Sequence, residues 1–99
     1  MDTHHKSIDL FTTLALIESA DEAKNFLTDL CTPSEIRAFS ERWQVCQLLE
    51  GGHLSYRKIR EITGASLMTI GRVARFLNDE SYGGYKNLLE KIKKYREEK

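Results

Sequence analysis

Apolar residues recur along this chain at spacings of three and four, the period of an α-helix, and no stretch reads as a strand. The clearest stripe is Ile70, Val73, Ala74 and Leu77, at i, i+3, i+4 and i+7. Ile59 and Ile62 lie on one face of a shorter segment just before it. Start and stop residues frame both segments. Ser55 is suited to cap Tyr56–Thr63, Gly64 to close that helix in the left-handed conformation, and Ser66 to cap the next. A connection this short predicts a helix-turn-helix over 55–77 rather than a long antiparallel hairpin. Its second helix leaves Leu67, Met68, Gly71, Arg72 and Arg75 facing outward: two apolar side chains, a gap and two guanidinium groups.

Upstream, residues from Ser7 read as a helix with Ile8, Phe11, Leu14, Ala15 and Ile17 on one face. Ser19 with Glu22 three residues on forms a capping-box pattern before Phe26, Leu27 and Leu30. Thr32-Pro33-Ser34-Glu35 is the strongest boundary, with Thr32 as cap, Pro33 at the first helical position and Glu35 closing the box. A long helix then runs to Glu50 and stops at Gly51-Gly52. Its apolar residues Ile36, Phe39, Trp43, Val45, Cys46, Leu48 and Leu49 cover more than one narrow stripe, so it must be covered on several sides. In so short a chain a second subunit is the expected cover, which predicts an intimate homodimer. After Leu77, Asn78 to Gly84 is a turn-rich break. Tyr85–Lys99 reads as a last helix, docked by Leu88, Leu89, Ile92 and Tyr95 and carrying an i, i+4 pair, Glu90 with Lys94.

Charge changes the picture. The whole chain is neutral, but residues 1–54 carry four basic against nine acidic side chains, net −5, while residues 55–77 carry five basic groups against Glu61 alone, net +4. A basic excess confined to the helix-turn-helix is the footprint of a nucleic-acid-binding module. The Lys-rich end, at +1 over residues 78–99, is diluted by Glu97 and Glu98 and reads as a solvated face. With 99 residues there is room for a single domain, and 40% apolar with 30% charged residues is the balance of a globular rather than a disordered chain. No apolar run approaches the roughly 20 residues of a membrane helix. The start lacks signal-peptide character, so a cytoplasmic location is expected.

Cys31 and Cys46 lack the partners of a zinc site or a disulfide framework and read as small reduced core residues. His4 and His5 read as bystanders at a frayed terminus, and neither a metal nor a cofactor is expected. No paired carboxylates, Cys/His arrangement or glycine-rich phosphate loop is present, which argues against an enzyme.

Thr32-Pro33-Ser34-Glu35, Arg42, Leu48-Leu49-Glu50-Gly51, Ser55-Tyr56-Arg57, Gly64-Ala65-Ser66 and Thr69-Ile70-Gly71-Arg72 together resemble the bacterial Trp repressor family over about residues 28–78. The resemblance is to its YerC/YecD-like branch, which shares a Tyr-Gly-containing segment after the recognition helix. It implies an all-α, intertwined Trp-repressor-like homodimer that regulates transcription, with repression the expected sense. The Trp repressor is itself one of the established helix-turn-helix examples, so the docking geometry is carried over from it. Arg57 then matches a side chain that reaches a guanine edge, and Arg60 a basic position near phosphate. Ala65 and Ser66 match turn residues whose backbone approaches DNA, and Leu67, Met68 and Thr69 the part of the recognition helix in the major groove. With Ser55, Lys58, Arg72 and Arg75 these form the expected DNA-binding set. Two symmetric heads would bind half-sites about 34 Å apart, hence an inverted-repeat operator.

The resemblance departs at the co-repressor site. Thr32, Arg42 and Arg72 agree with positions that hold tryptophan in the family. Val73 stands at a glycine position, Phe76 at a serine position, and Asp29 and Cys31 at two leucines. Side chains of that size would fill the volume of an indole, so tryptophan is not the expected effector; a different small ligand is the alternative occupant. The competing reading of the whole chain is a helical protein-interaction adaptor with no specific DNA target. Salt-dependent binding to duplex DNA separates the two. RNA is disfavoured, because no aromatic stacking platform accompanies the basic residues.

Overall fold

A computed structural model describes residues 6–79 and 82–98. Their backbone forms six helices: α1 (Leu10–Ala15), α2 (Ala20–Leu30), α3 (Pro33–Gly51), α4 (Tyr56–Thr63), α5 (Leu67–Asn78) and α6 (Gly84–Glu97). No strand occurs among the described residues. His4 and His5, and residues 80 and 81 of the expected break, lie outside them. The chain divides into two compact units, Met1–Ile36 and Arg37–Lys99, with the boundary inside α3.

Local chemistry sets the helix ends. In the first unit, Asp9 caps α1, accepting from the Thr12 N–H at 2.8 Å, and this bond holds its carboxyl below the ordinary carboxylate value. The helix therefore starts at Leu10, three residues after the expected Ser7. Ser19 caps α2 through the Glu22 N–H at 3.1 Å, but the returning Glu22 carboxylate accepts from the Glu18 N–H at 2.8 Å rather than from Ser19 itself. The box at α3 closes as its sequence predicts: Glu35 N–H donates to Thr32 Oγ1 at 3.1 Å, and Thr32 N–H donates to a Glu35 carboxylate oxygen at 2.8 Å. At its far end α3 takes in Gly51, and Gly52 turns the chain at φ 81°.

Each helix of the second unit contributes to one core. Val45 and Cys46 of α3, Ile59 of α4, Ala65 of the turn and Ile70, Val73 and Leu77 of α5 form a buried cluster, edged by Trp43, Leu48, Leu49, Leu54, Tyr85 and Leu89. Helix α5 packs on both α4 and α6 and is the organising element. The expected stripe Ile70, Val73, Ala74 and Leu77 is buried throughout. Ile62 is not: it is 47% exposed, and only Ile59 of that pair enters the core. The two cysteines also part company. Cys46 is buried, and burial pushes its thiol up to about 11, with the nearby Glu50 carboxylate adding to the shift, so it stays protonated. Cys31 is only half-buried, lining a shallow pocket with Thr28, Pro33 and Ile36. In α6, Glu90 meets Lys93 at 4.0 Å instead of Lys94.

Candidate nucleic-acid interface

The turn between α4 and α5 is held by more than its glycine. Ser55 caps α4 through the Lys58 N–H at 3.1 Å, and Gly64 ends it at φ 79°. Ser66 caps α5 through the Thr69 N–H at 3.1 Å, and its hydroxyl also donates to Thr69 Oγ1 at 3.1 Å. Between the caps, the Thr63 hydroxyl donates to the Ile59 carbonyl at 2.8 Å and accepts from the Ala65 N–H at 3.0 Å. Thr63 therefore pins the turn from inside, a role the spacing of caps and apolar residues does not reveal.

With one face of each helix in the core, the opposite faces carry the basic set. Arg57, Lys58, Arg60 and Arg75 are exposed, together with Ser55, Ser66, Leu67 and Met68, while Arg72 is exposed beside them and Thr69 is half-buried. Met68 is 84% and Leu67 50% exposed, an apolar pair flanked by cations. Lys58 is partly occupied by Glu61 at 3.7 Å. Ala65 leaves the set: it is fully buried, and its N–H is bound to Thr63. A backbone with no exposed surface cannot reach a ligand, so of Ala65 and Ser66 it is Ser66 that is available to one.

Phe76 organises the far end of the surface. The Arg72 guanidinium lies 4.6 Å from the ring centroid and that of Arg75 5.2 Å, both within cation–π range. One half-buried ring thus braces two outward cations. Tyr85 stands nearby, its ring 6.1 Å from Trp43. Burial raises the Tyr85 hydroxyl above its ordinary value, assisted by Cys46, while Arg42 and Arg72 oppose the rise. Arg72, Phe76, Tyr82, Gly84 and Tyr85 line an open recess there.

The residues expected at an effector pocket are each engaged locally. Thr32 spends its hydroxyl on the α3 cap, Arg42 lies over Phe39 at 5.7 Å, and Arg72 lies over Phe76. Val73 is 1% exposed, within the core.

The chain is similar to known proteins over most of its length. The family model described as Trp repressor protein matches residues 6–93. The uncharacterized protein YerC of Bacillus subtilis (strain 168) is 38% identical over 91 residues, covering 89% of this chain and 84% of its own. A crystal structure of a TrpR-like protein from Eubacterium eligens superposes with a TM-score of 0.78 at 40% identity, over 84% of each chain. That of a candidate Trp repressor from Staphylococcus aureus superposes at 0.80 and 31% identity, over 94% of this chain and 95% of its own. Agreement over nearly the whole length, at a level where sequence and backbone coincide, makes the chain a member of the Trp repressor family.

Proposed function

We propose that the chain is a sequence-specific double-stranded DNA-binding transcriptional regulator, a repressor that acts in the cytoplasm as a homodimer on an inverted-repeat operator. The observation that carries this reading is the outward placement of Arg57, Arg60, Arg72 and Arg75 on a helix-turn-helix whose other face is consumed by the core. Arg57 donates two bonds to a guanine edge, and the exposed Leu67 and Met68 meet thymine methyl groups. Lys58, Arg60, Arg72 and Arg75 neutralise phosphates, with Ser55, Ser66 and Thr69 as hydroxyl partners.

The dimer is supported by the first unit. Neither α1 nor α2 has a buried residue, while Ile8 is 63%, Phe11 80% and Leu16 67% exposed. Covering apolar surface gains about 25 cal/mol per Å², and a second copy provides that cover while fixing the distance between two reading heads. Selection of bound sites from a random duplex pool is the test. An inverted repeat with half-site centres about 10 base pairs apart is expected, bound by a species that sediments as a dimer. A pool with no enrichment sinks the DNA reading and favours the adaptor.

Tryptophan is not the effector in this proposal. The three side chains that match its site are committed to a helix cap and two aromatic rings, and binding an indole would have to displace them. Titration calorimetry is expected to show no tryptophan binding in the micromolar range; a micromolar Kd overturns the point.

A further inference from the structure

Gly71 sits in the interior of α5, where a glycine weakens a helix relative to alanine because more backbone must be ordered and nothing is packed in return. Nothing among the described residues requires it. A Cβ added there meets no heavy atom of the described residues within 4 Å, its own helix backbone and chain neighbours aside. Its φ is not among the positive values either, which belong to Gly52, Gly64 and Gly83. The demand for an absent side chain therefore comes from outside.

Its neighbours indicate what is outside. Leu67 and Met68 precede it by four and three residues and Arg75 follows by four, so all three share its face, with Arg72 adjacent in sequence. All four are exposed. The result is a notch floored by bare backbone, apolar toward the N-terminus of the helix and cationic toward its C-terminus. That pairing matches a duplex groove, where base edges and methyl groups lie beside a polyanionic wall.

We propose that Gly71 is the point of closest approach between α5 and duplex DNA: without a side chain there, a sugar–phosphate strand comes into van der Waals contact with the helix backbone. The approach lets Leu67 and Met68 reach base edges while Arg72 and Arg75 flank the strand. This inference rests on the DNA reading above and adds to it the positioning residue.

Gly71→Ala in the full chain gives effects of opposite sign. The melting temperature rises by about 2–8 °C, because the helix gains and no clash is introduced. Affinity for the selected operator falls about tenfold or more at fixed salt. The slope of log affinity against log salt is unchanged, because no charge is removed. Unchanged operator affinity in the variant overturns the proposal. So does a lower melting temperature or a weakened dimer, either of which places a protein surface over the notch. Failure of the unaltered chain to bind any duplex condemns the DNA reading itself and is recognised before the variant is made.

Discussion

Replacing Arg57, Arg60 and Arg75 together by alanine is expected to lower operator affinity on the order of 10³-fold or more near physiological salt and to flatten the salt dependence by about four in slope. Six guanidinium groups leave a dimer, four of them from phosphates, and every phosphate that goes without its guanidinium keeps nearly one counterion that binding would otherwise release. Stability responds less. All three side chains are exposed, and the structural losses are the interaction of Arg60 and Arg75 with the C-terminal ends of α4 and α5, each worth about 0.3–1 kcal/mol, and the contact of Arg75 with the Phe76 ring. Filter binding or fluorescence anisotropy across a series of salt concentrations, paired with a thermal melt, separates the two effects; a triple variant that binds with the original slope removes these arginines from the interface. A finer variant tests the base-reading role. Arg57→Lys keeps the charge but loses the planar fork, so binding to random duplex persists while operator discrimination falls by about 1–3 kcal/mol.

The helix-turn-helix is largely legible in the sequence because capping and turn chemistry act over three or four residues. Ser55, Gly64 and Ser66 do what their local spacing demands, and the charges left on the open faces follow from helical period alone. What escapes is set by tertiary neighbours. Ala65 sits between exposed Gly64 and Ser66 and gives no local sign of burial, yet the chain turns it inward, where its N–H meets the Thr63 hydroxyl. Phe76 reads as bulk at a ligand site, and only the folded chain shows one ring beneath both Arg72 and Arg75. The start of α1 moves from Ser7 to Leu10 because Ser7 and Asp9 are both able caps, and it is Asp9 that accepts from the Thr12 amide and hydroxyl.

Ile59 and Ile62 make the same point energetically, and with Ile70 they give the largest expected change in stability. Period alone assigns both α4 isoleucines to the packed face. Ile70 and Ile59 are wholly buried, but Ile62 retains nearly half its surface. Ile70→Ala truncates a core side chain on the helix that organises the second unit, and such a cavity costs about 2–5 kcal/mol. A chain of this length holds only about 5–15 kcal/mol of stability in total, so the variant is expected to melt well below its parent and to lose DNA binding as the reading head loosens. Ile62→Ala deletes the same atoms from a half-wet site, where little cavity forms, and should cost about 1 kcal/mol or less. Urea melts of the two variants, each monitored at several protein concentrations, check the contrast. Equal losses would mean that Ile62 is covered in solution, and a loss at Ile62 that depends on protein concentration would identify the cover as a second copy, placing α4 at the subunit contact rather than free to meet DNA.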